Sequence, residues 1–363
     1  PTVLCQSLLA PSSLEPLQSK HTLLRSTVGL SMTTSVSELM IEAGQKARAA
    51  SRRMAAASTA DKNKALLRLA ELLQAKKEDI FAANKQDLVK AKENGLKESF
   101  VDRLRVTEKV LRLMAEGARQ TAALPDPVGE ISEMRRRPSG IQVGRMRVPL
   151  GALGIIYESR PNVTVDAACL AVKSGNACIL RGGSEAFETN RILGELVQKA
   201  LTETGLPTEA VQIAPTTDRD FVGEMIRANK YVDVIIPRGG KGLIARLAAE
   251  ATVPMIHHLD GICHTYVDKD ANIDMAVSVT DNAKTQRYSP CNATETLLGH
   301  EAIADVFLPR IGRIFAEKNV EMRCDTKSKA VLESAGLSCV DAEPSDWDTE
   351  YNAPIISIAV VES

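Results

Sequence analysis

The chain has 363 residues, a formal net charge of −1 and 44% hydrophobic residues. This length allows two or more domains, and the near-neutral charge creates no long-range attraction to nucleic acid or an acidic membrane. Seven cysteines without a CxxC pair favour free thiols in a reducing compartment, so we expect a cytoplasmic protein. No apolar run approaches the roughly 18 residues of a membrane helix. The expected partner is a small molecule.

Residues 1–31 differ from the rest of the chain, with six serines and a single acidic residue, Glu15. Such a composition is typical of a transit presequence, although the arginines are few. Met32 resembles a second translation start, so the alternative is that residues 1–31 are upstream sequence and not part of the fold. We expect the segment to be disordered. Helical periodicity then predicts scaffold helices over residues 36–56 and 61–82, and a third from Thr107.

Residues 128–148 change character, with two extended runs on either side of Pro138, Ser139 and Gly140. This arrangement predicts a β-hairpin. Three consecutive arginines, residues 135–137, are too few for a nucleic-acid patch and have no neighbouring aromatic residues. We therefore expect a hairpin that projects from the body and mediates homo-oligomer contacts.

From Gly151 onward, short β-branched runs alternate with helical segments. Predicted strands cover residues 152–157, 177–180, 210–214, 232–236 and 253–257, and predicted helices cover 163–173, 185–204, 219–228 and 241–251. The alternation predicts an α/β fold with a parallel sheet that binds ligands at the carboxyl ends of its strands.

Two glycine turns follow predicted strands. They comprise Arg181, Gly182, Gly183 and Ser184, and then Pro237, Arg238, Gly239 and Gly240. Neither matches the G-x-G-x-x-G or Walker A spacing. Each could still bring backbone N–H groups at a helix N-terminus close to a phosphate. The alternative is that these glycines serve packing alone.

Cys291 is the candidate nucleophile. A predicted helix over residues 272–284 precedes it, Pro290 favours a helix end beside it, and a predicted strand begins at Glu295. An unpaired cysteine is usually a small buried hydrophobe, as we expect for Cys169 and Cys178 in their apolar runs. The polar, turn-forming neighbours of Cys291 instead favour an accessible thiol.

Five runs together resemble the γ-glutamyl phosphate reductase family, the NADPH-linked branch of the aldehyde dehydrogenase superfamily that serves proline biosynthesis. They are YESRPNVTVD at 157–166, KSGNACILRGGSEA at 173–186, VIIPRGG at 234–240, HLDGICH at 258–264 and KTQRYSPCNATET at 284–296. The resemblance implies an aldehyde dehydrogenase-like fold. It places an NADP-binding domain in residues 32–127 and 149–257 and a catalytic domain in 258–363, which family members continue beyond the last residue here.

The resemblance also implies a reaction. The Cys291 thiolate would attack L-glutamyl 5-phosphate, release phosphate and form a thioester, which NADPH reduces to L-glutamate 5-semialdehyde. The amide of Asn162 would hold the oxyanion; the alternative reading of this residue is a helix N-cap. Arg181 would lie beside the adenosine ribose, where it would suit the 2′-phosphate of NADP, and the rest of its turn, Gly182, Gly183 and Ser184, would also bind the cofactor. Gly239 and Gly240, in the turn with Pro237 and Arg238, would meet the pyrophosphate. Glu350 would lie near the nicotinamide ribose.

Three more residues are candidate substrate ligands by position. Arg160 and Arg287 flank the reactive centre in sequence and would bind a carboxylate or phosphate; surface salt bridges are the alternative. His258 occupies the place of the glutamate base of hydrolytic aldehyde dehydrogenases, which suits an enzyme that must keep water from its thioester. Its histidine and cysteine neighbours fit no ordinary zinc spacing, so we expect no metal.

Two other functions remain open. The chain could bind a nucleotide without catalysis, or it could be a hydrolytic aldehyde dehydrogenase, which would need a base that His258 does not obviously supply. Glutamate 5-kinase is a further candidate partner.

Overall fold

The computed structural model describes residues 35–257 and 260–362. The expectations for residues 1–31 and for His258 lie outside these ranges. The described chain forms three sheets of two, four and five strands. Buried apolar side chains form two main clusters, one around the four-stranded sheet and one around the five-stranded sheet.

Five helices open the described chain: α1 Val36–Ala55, α2 Thr59–Ala75, α3 Lys77–Glu93, α4 Glu98–Leu104 and α5 Glu108–Ala123. A capping box between Ser35 and Glu38 begins α1, and the Ser58 hydroxyl caps α2. The predicted single helix over residues 61–82 is wrong. The chain breaks at Lys76, whose φ of −109° and ψ of 23° end α2. The apolar spacing continues across this break without glycine or proline, so periodicity alone could not reveal it.

The predicted hairpin is confirmed. Strands β1 Ile131–Arg136 and β2 Gln142–Met146 pair antiparallel, and Gly140 takes the positive φ of 89° that the turn requires. Every residue of both strands is exposed. The exposed residues include large apolar ones, among them Ile131 and Met146.

The four-stranded sheet is parallel, in the order β5–β4–β3–β6. Its strands are β3 Ala152–Tyr157, β4 Ala177–Arg181, β5 Val211–Ile213 and β6 Val234–Arg238. Its helices are α6 Pro161–Lys173, α7 Phe187–Glu203, α8 Asp220–Met225 and α9 Lys241–Glu250. The alternation read from the sequence is confirmed, except that the predicted strand 253–257 is only a single bridge between Met255 and Ile235. Pro254 lacks the N–H that a longer ladder would use.

The five-stranded sheet is also parallel, in the order β10–β9–β11–β8–β7. Its strands are β7 Cys263–Val267, β8 Thr294–His300, β9 Glu321–Cys324, β10 Val340–Asp341 and β11 Ile355–Val361. Three helices pack with it: α10 Ile273–Thr285, α11 Glu301–Glu317 and α12 Thr326–Ser334. Its core includes Phe307, Phe315 and Ile358, all fully buried.

Candidate active site

Cys291 lies in the loop between α10 and β8, and its side chain is exposed. Helix α10 ends at Thr285, several residues before Pro290. Cys169 and Cys178 are buried, and burial raises the pKa of the Cys178 thiol to about 12. Of these three thiols, Cys291 alone is open to a substrate, as its sequence neighbours predict.

Gly261 brings the backbone of Cys291 close to Glu350. A Cβ atom placed on Gly261 would lie 2.4 Å from the Cys291 carbonyl oxygen and 3.0 Å from Glu350 Oε1. The Cys263 thiol also donates to the Cys291 carbonyl, at 3.4 Å. Only glycine leaves room for this approach. The structure therefore groups the candidate nucleophile with the residue expected near the nicotinamide ribose.

A buried ion pair supports the loop that carries Cys291. Lys284 Nζ, at the end of α10, donates to Glu295 Oε2 in β8 at 2.6 Å, and the two side chains are 0% and 1% exposed. The other Glu295 oxygen accepts the Asn352 N–H at 3.2 Å. Burial lowers the pKa of Lys284 although the carboxylate partly offsets it. This pair was not predicted from the sequence. Glu295 near the start of a buried strand could have indicated it, because a buried carboxylate needs a partner.

A cavity of about 610 Å³ opens at the carboxyl ends of β3 and β4. Arg181, Gly183 and Ser184 of the first glycine turn line it, together with Arg160. Arg181 is 8% exposed. Its guanidinium donates to the Gly182 carbonyl and, from Nη2, to carbonyls of the loop before α8.

The second glycine turn begins α9. The Gly240 N–H donates to Glu158 Oε1 at 2.9 Å, and a Cβ on Gly239 would lie 2.8 Å from Leu243 Cδ2. Pro237 is buried in β6 and Arg238 is exposed at its end. The Arg238 side chain lines a second cavity, of about 700 Å³, near the base of the hairpin. The structure thus places Arg238 on a different cavity from Arg181.

Asn162 is the second residue of α6, and the N-cap is Arg160. The alternative reading of Asn162 as the N-cap is therefore wrong, because Pro161 occupies the first helical position. The Asn162 amide donates to Asp166 Oδ2 at 3.2 Å. Within residues 35–257 and 260–362, no hydrogen bond joins Asn162 to Cys291. Arg287 is exposed in the Cys291 loop.

The described residues form neither a metal centre nor a membrane-spanning helix. Within them, no three His, Cys, Asp or Glu side chains are grouped to hold a metal ion. Nor does this part of the chain contain a helix long and apolar enough to cross a bilayer.

A model described as "Aldehyde dehydrogenase family" matches residues 21–332. The chain belongs to the aldehyde dehydrogenase family. A solved γ-glutamyl phosphate reductase from Thermotoga maritima is 43% identical, with a TM-score of 0.80 over 89% of this chain and 77% of that one. The Saccharomyces cerevisiae γ-glutamyl phosphate reductase is 30% identical, with a TM-score of 0.57 over 91% and 82% of the two chains.

An acetylating aldehyde dehydrogenase from Geobacillus thermoglucosidasius is 16% identical, with a TM-score of 0.57 over 90% of this chain and 76% of that one. At that identity it supports the fold alone. The resemblance to the γ-glutamyl phosphate reductases and the aldehyde dehydrogenase-like α/β fold are both confirmed. The chain is accordingly an oxidoreductase.

Membership in the aldehyde dehydrogenase family implies a nicotinamide dinucleotide, and the residues of the 610 Å³ cavity fit one. Among the described residues, six cationic side chains and two carboxylates line it, in a protein with a net charge of −1: Lys97, Arg103, Arg160, Arg181, Arg219 and Arg246 against Glu158 and Glu185. The Arg181 Nε is buried without a hydrogen-bond partner among the described residues. Such a lining suits a ligand that carries several phosphate charges and a nucleobase, and its position at the carboxyl ends of parallel strands is typical of dinucleotide sites.

Proposed function

We propose that this chain catalyses the NADPH-dependent reduction of L-glutamyl 5-phosphate to L-glutamate 5-semialdehyde, with release of phosphate, in proline biosynthesis. The observation that carries the proposal is the exposed thiol of Cys291, a residue whose backbone carbonyl lies with the Glu350 carboxylate against Gly261, in a chain 43% identical to a γ-glutamyl phosphate reductase.

Chemistry begins at the sulfur of Cys291. The thiolate attacks the acyl carbon, the new C–S bond forms, and the C–O bond to phosphate breaks, which leaves a thioester. When bound, the nicotinamide dinucleotide would supply the hydride equivalent that reduces the thioester carbon. The Cys291 sulfur would then leave as the C–S bond breaks, which releases the aldehyde and regenerates the thiolate. No step of this reaction uses water, so the enzyme needs no base to activate it.

Oxyanion stabilisation is assigned to the side-chain amide of Asn162 and the backbone N–H of Cys291. One hydrogen of the Asn162 amide is donated to Asp166, and the second is available for the substrate oxygen. Arg160, Arg287 and His258 are proposed to bind the substrate carboxylate or the leaving phosphate. Arginine suits either group because its planar fork binds two oxygens at once.

The cofactor is assigned to the two glycine turns and Glu350. In this proposal residues 32–127 and 149–257 form the NADP-binding domain, and residues 258–363 belong to the catalytic domain. The hairpin of residues 128–148 joins subunits of a homo-oligomer, because its exposed apolar side chains otherwise face water. A cytoplasmic location and an association with glutamate 5-kinase also remain proposals.

The test is the reverse reaction, followed as NADP⁺ reduction by glutamate 5-semialdehyde with inorganic phosphate. We expect turnover that requires phosphate and is lost after thiol alkylation and in Cys291→Ser. Because the neighbouring Cys263 is half-buried, Cys263→Ser is the matched control and should retain turnover. Turnover without phosphate would indicate a hydrolytic aldehyde dehydrogenase. NADP⁺ binding with no turnover in any condition would indicate a nucleotide-binding protein.

A further inference from the structure

We propose that Arg219 recognises the 2′-phosphate of NADPH, and that Arg181 is a positioning residue that holds the loop carrying Arg219. This inference rests on the proposed cofactor. It revises the assignment that the family resemblance suggests, in which Arg181 itself meets the phosphate.

Most donors of Arg181 are already engaged by the protein. Its Nη1 donates to the Gly182 carbonyl, and its Nη2 donates to the carbonyls of Thr217 at 2.8 Å and Asp218 at 3.4 Å. The side chain is only 8% exposed, and burial lowers its pKa. Arg181 therefore ties the carboxyl end of β4 to the two residues that immediately precede Arg219.

Arg219 is more open to a ligand than Arg181, whose one unpaired nitrogen, Nε, is buried. It is exposed on the wall of the same cavity. Its side chain makes no ion pair and no hydrogen bond with another residue of the described ranges. Val222 lines the cavity with Leu243 and Leu247. It lies three residues after Arg219, so the two side chains are on the same face where the chain enters α8. These apolar side chains offer a slot for an adenine, with Arg219 at its edge.

Three other charged side chains of the cavity already have partners. Arg246 Nε pairs with Glu250 at 3.3 Å, and the Arg103 guanidinium lies 5.2 Å from the Phe100 ring centre. The Glu185 carboxylate, which would repel a phosphate, accepts the Ser159 hydroxyl at 2.5 Å.

Two further cations, Lys97 and Arg160, line the cavity from other elements. Neither residue belongs to the segment of Thr217, Asp218 and Arg219 that Arg181 holds, and neither is close in sequence to Val222. This placement favours Arg219 as the cation beside the adenosine.

The test compares adenosine 2′,5′-bisphosphate with adenosine 5′-monophosphate by calorimetric titration, since the two ligands differ only in the 2′-phosphate. In Arg219→Ala, we expect the affinity for the bisphosphate to fall by roughly 10- to 100-fold, the size of a hydrogen bond to a charged group. Affinity for the monophosphate should change by less than about 3-fold, within the range of a screened surface charge. Arg219→Lys should restore part of the loss. Arg246→Ala removes the same charge from the same cavity and should keep the discrimination.

The positioning role of Arg181 is tested by a double variant. If Arg181 acts only through Arg219, then Arg181→Met/Arg219→Ala should lose no more of the preference for the bisphosphate than Arg219→Ala alone. Unchanged discrimination in Arg219→Ala would overturn the inference while leaving the NADP preference intact. A parent protein that binds both ligands equally would overturn the NADP preference and the inference with it. Neither result depends on turnover.

Discussion

Replacement of Lys284 by methionine tests the support of the Cys291 loop most directly. In the parent protein, Glu295 is 1% exposed and has two partners, the Lys284 ammonium at 2.6 Å and the Asn352 N–H at 3.2 Å. Lys284→Met keeps the volume of the side chain and removes the charge. A buried carboxylate is then left with one backbone donor. Removal of one partner from a buried ion pair destabilises a protein by about 3–5 kcal/mol.

The double variant Lys284→Met/Glu295→Leu removes both charges. Hydrocarbon in place of a buried ion pair is often neutral or stabilising, and the remaining penalty is the Asn352 N–H, about 1–3 kcal/mol if it finds no acceptor. We therefore expect the single variant to be less stable than the double one. At an m-value of about 2 kcal/mol per M urea, the single change lowers the unfolding midpoint by about 1.5–2.5 M.

Urea unfolding, monitored by tryptophan fluorescence, measures the unfolding midpoints of these variants. The chain has one tryptophan, Trp347, in the 3-10 segment Pro344–Asp348, whose Asp346 is bonded to β9 and β11. It therefore reports the same sheet as Lys284 and Glu295. A midpoint within 0.5 M of the parent for Lys284→Met, or a double variant less stable than the single one, would refute the reasoning. Loss of iodoacetamide reactivity at Cys291 would show that the loop moved as well.

Three further predictions concern separate parts of the molecule. Gly261→Ala should lower kcat by about 100-fold, because its methyl group would displace the Cys291 backbone and small misplacements cost that much; steady-state kinetics measures it. Met146→Asp should shift the protein to smaller species in sedimentation velocity, because 61% of that side chain is exposed on the hairpin. Burial alone would raise the pKa of Asp346, but hydrogen bonds, including that from Arg323, lower it. Its stabilisation is complete above about pH 4 and lost as the pH falls through the folded pKa, so the deficit of Asp346→Asn in urea unfolding should vanish in acid.

Gly261→Ala has a control variant, and each of the three predictions has an outcome that would contradict it. Gly117→Ala adds a methyl group to α5 with its nearest neighbour at 3.7 Å, and should leave kcat unchanged. Equal losses in both alanine variants would remove Gly261 from the active site. Sedimentation of Met146→Asp identical to the parent would exclude this side chain from the subunit contact. A deficit of Asp346→Asn that is as large at pH 3 as at pH 7 would contradict the lowered pKa.

Much of the fold could be read from hydrophobic patterning. Strands β3 and β4 are buried at every position, so their sequences are continuous apolar runs, which is the mark of a central parallel strand. Strand β7 escaped prediction for the opposite reason. It lies at the edge of its sheet and carries exposed polar residues such as His264. The elements from α11 to α12 were also not predicted.

The candidate site was only half predictable. Cys291 could be found because its polar neighbours distinguish it from the buried cysteines. The hydrogen-bond partners of Arg181 could not be predicted, since Thr217 and Asp218 lie 36 and 37 residues after it in the chain. No local pattern reports a contact of that separation. The same limit hid the bond between Glu295 and Asn352, 57 residues apart.

The cationic cavity on a nearly neutral protein has a kinetic consequence. At an ionic strength of 0.1 M, charges act over about 10 Å, so arginines that line one cavity exert little pull on a nucleotide still in bulk water. They act once the nucleotide has entered. Added salt should therefore speed escape of the dinucleotide far more than it slows capture, and residence time becomes the quantity that separates one nicotinamide nucleotide from the other.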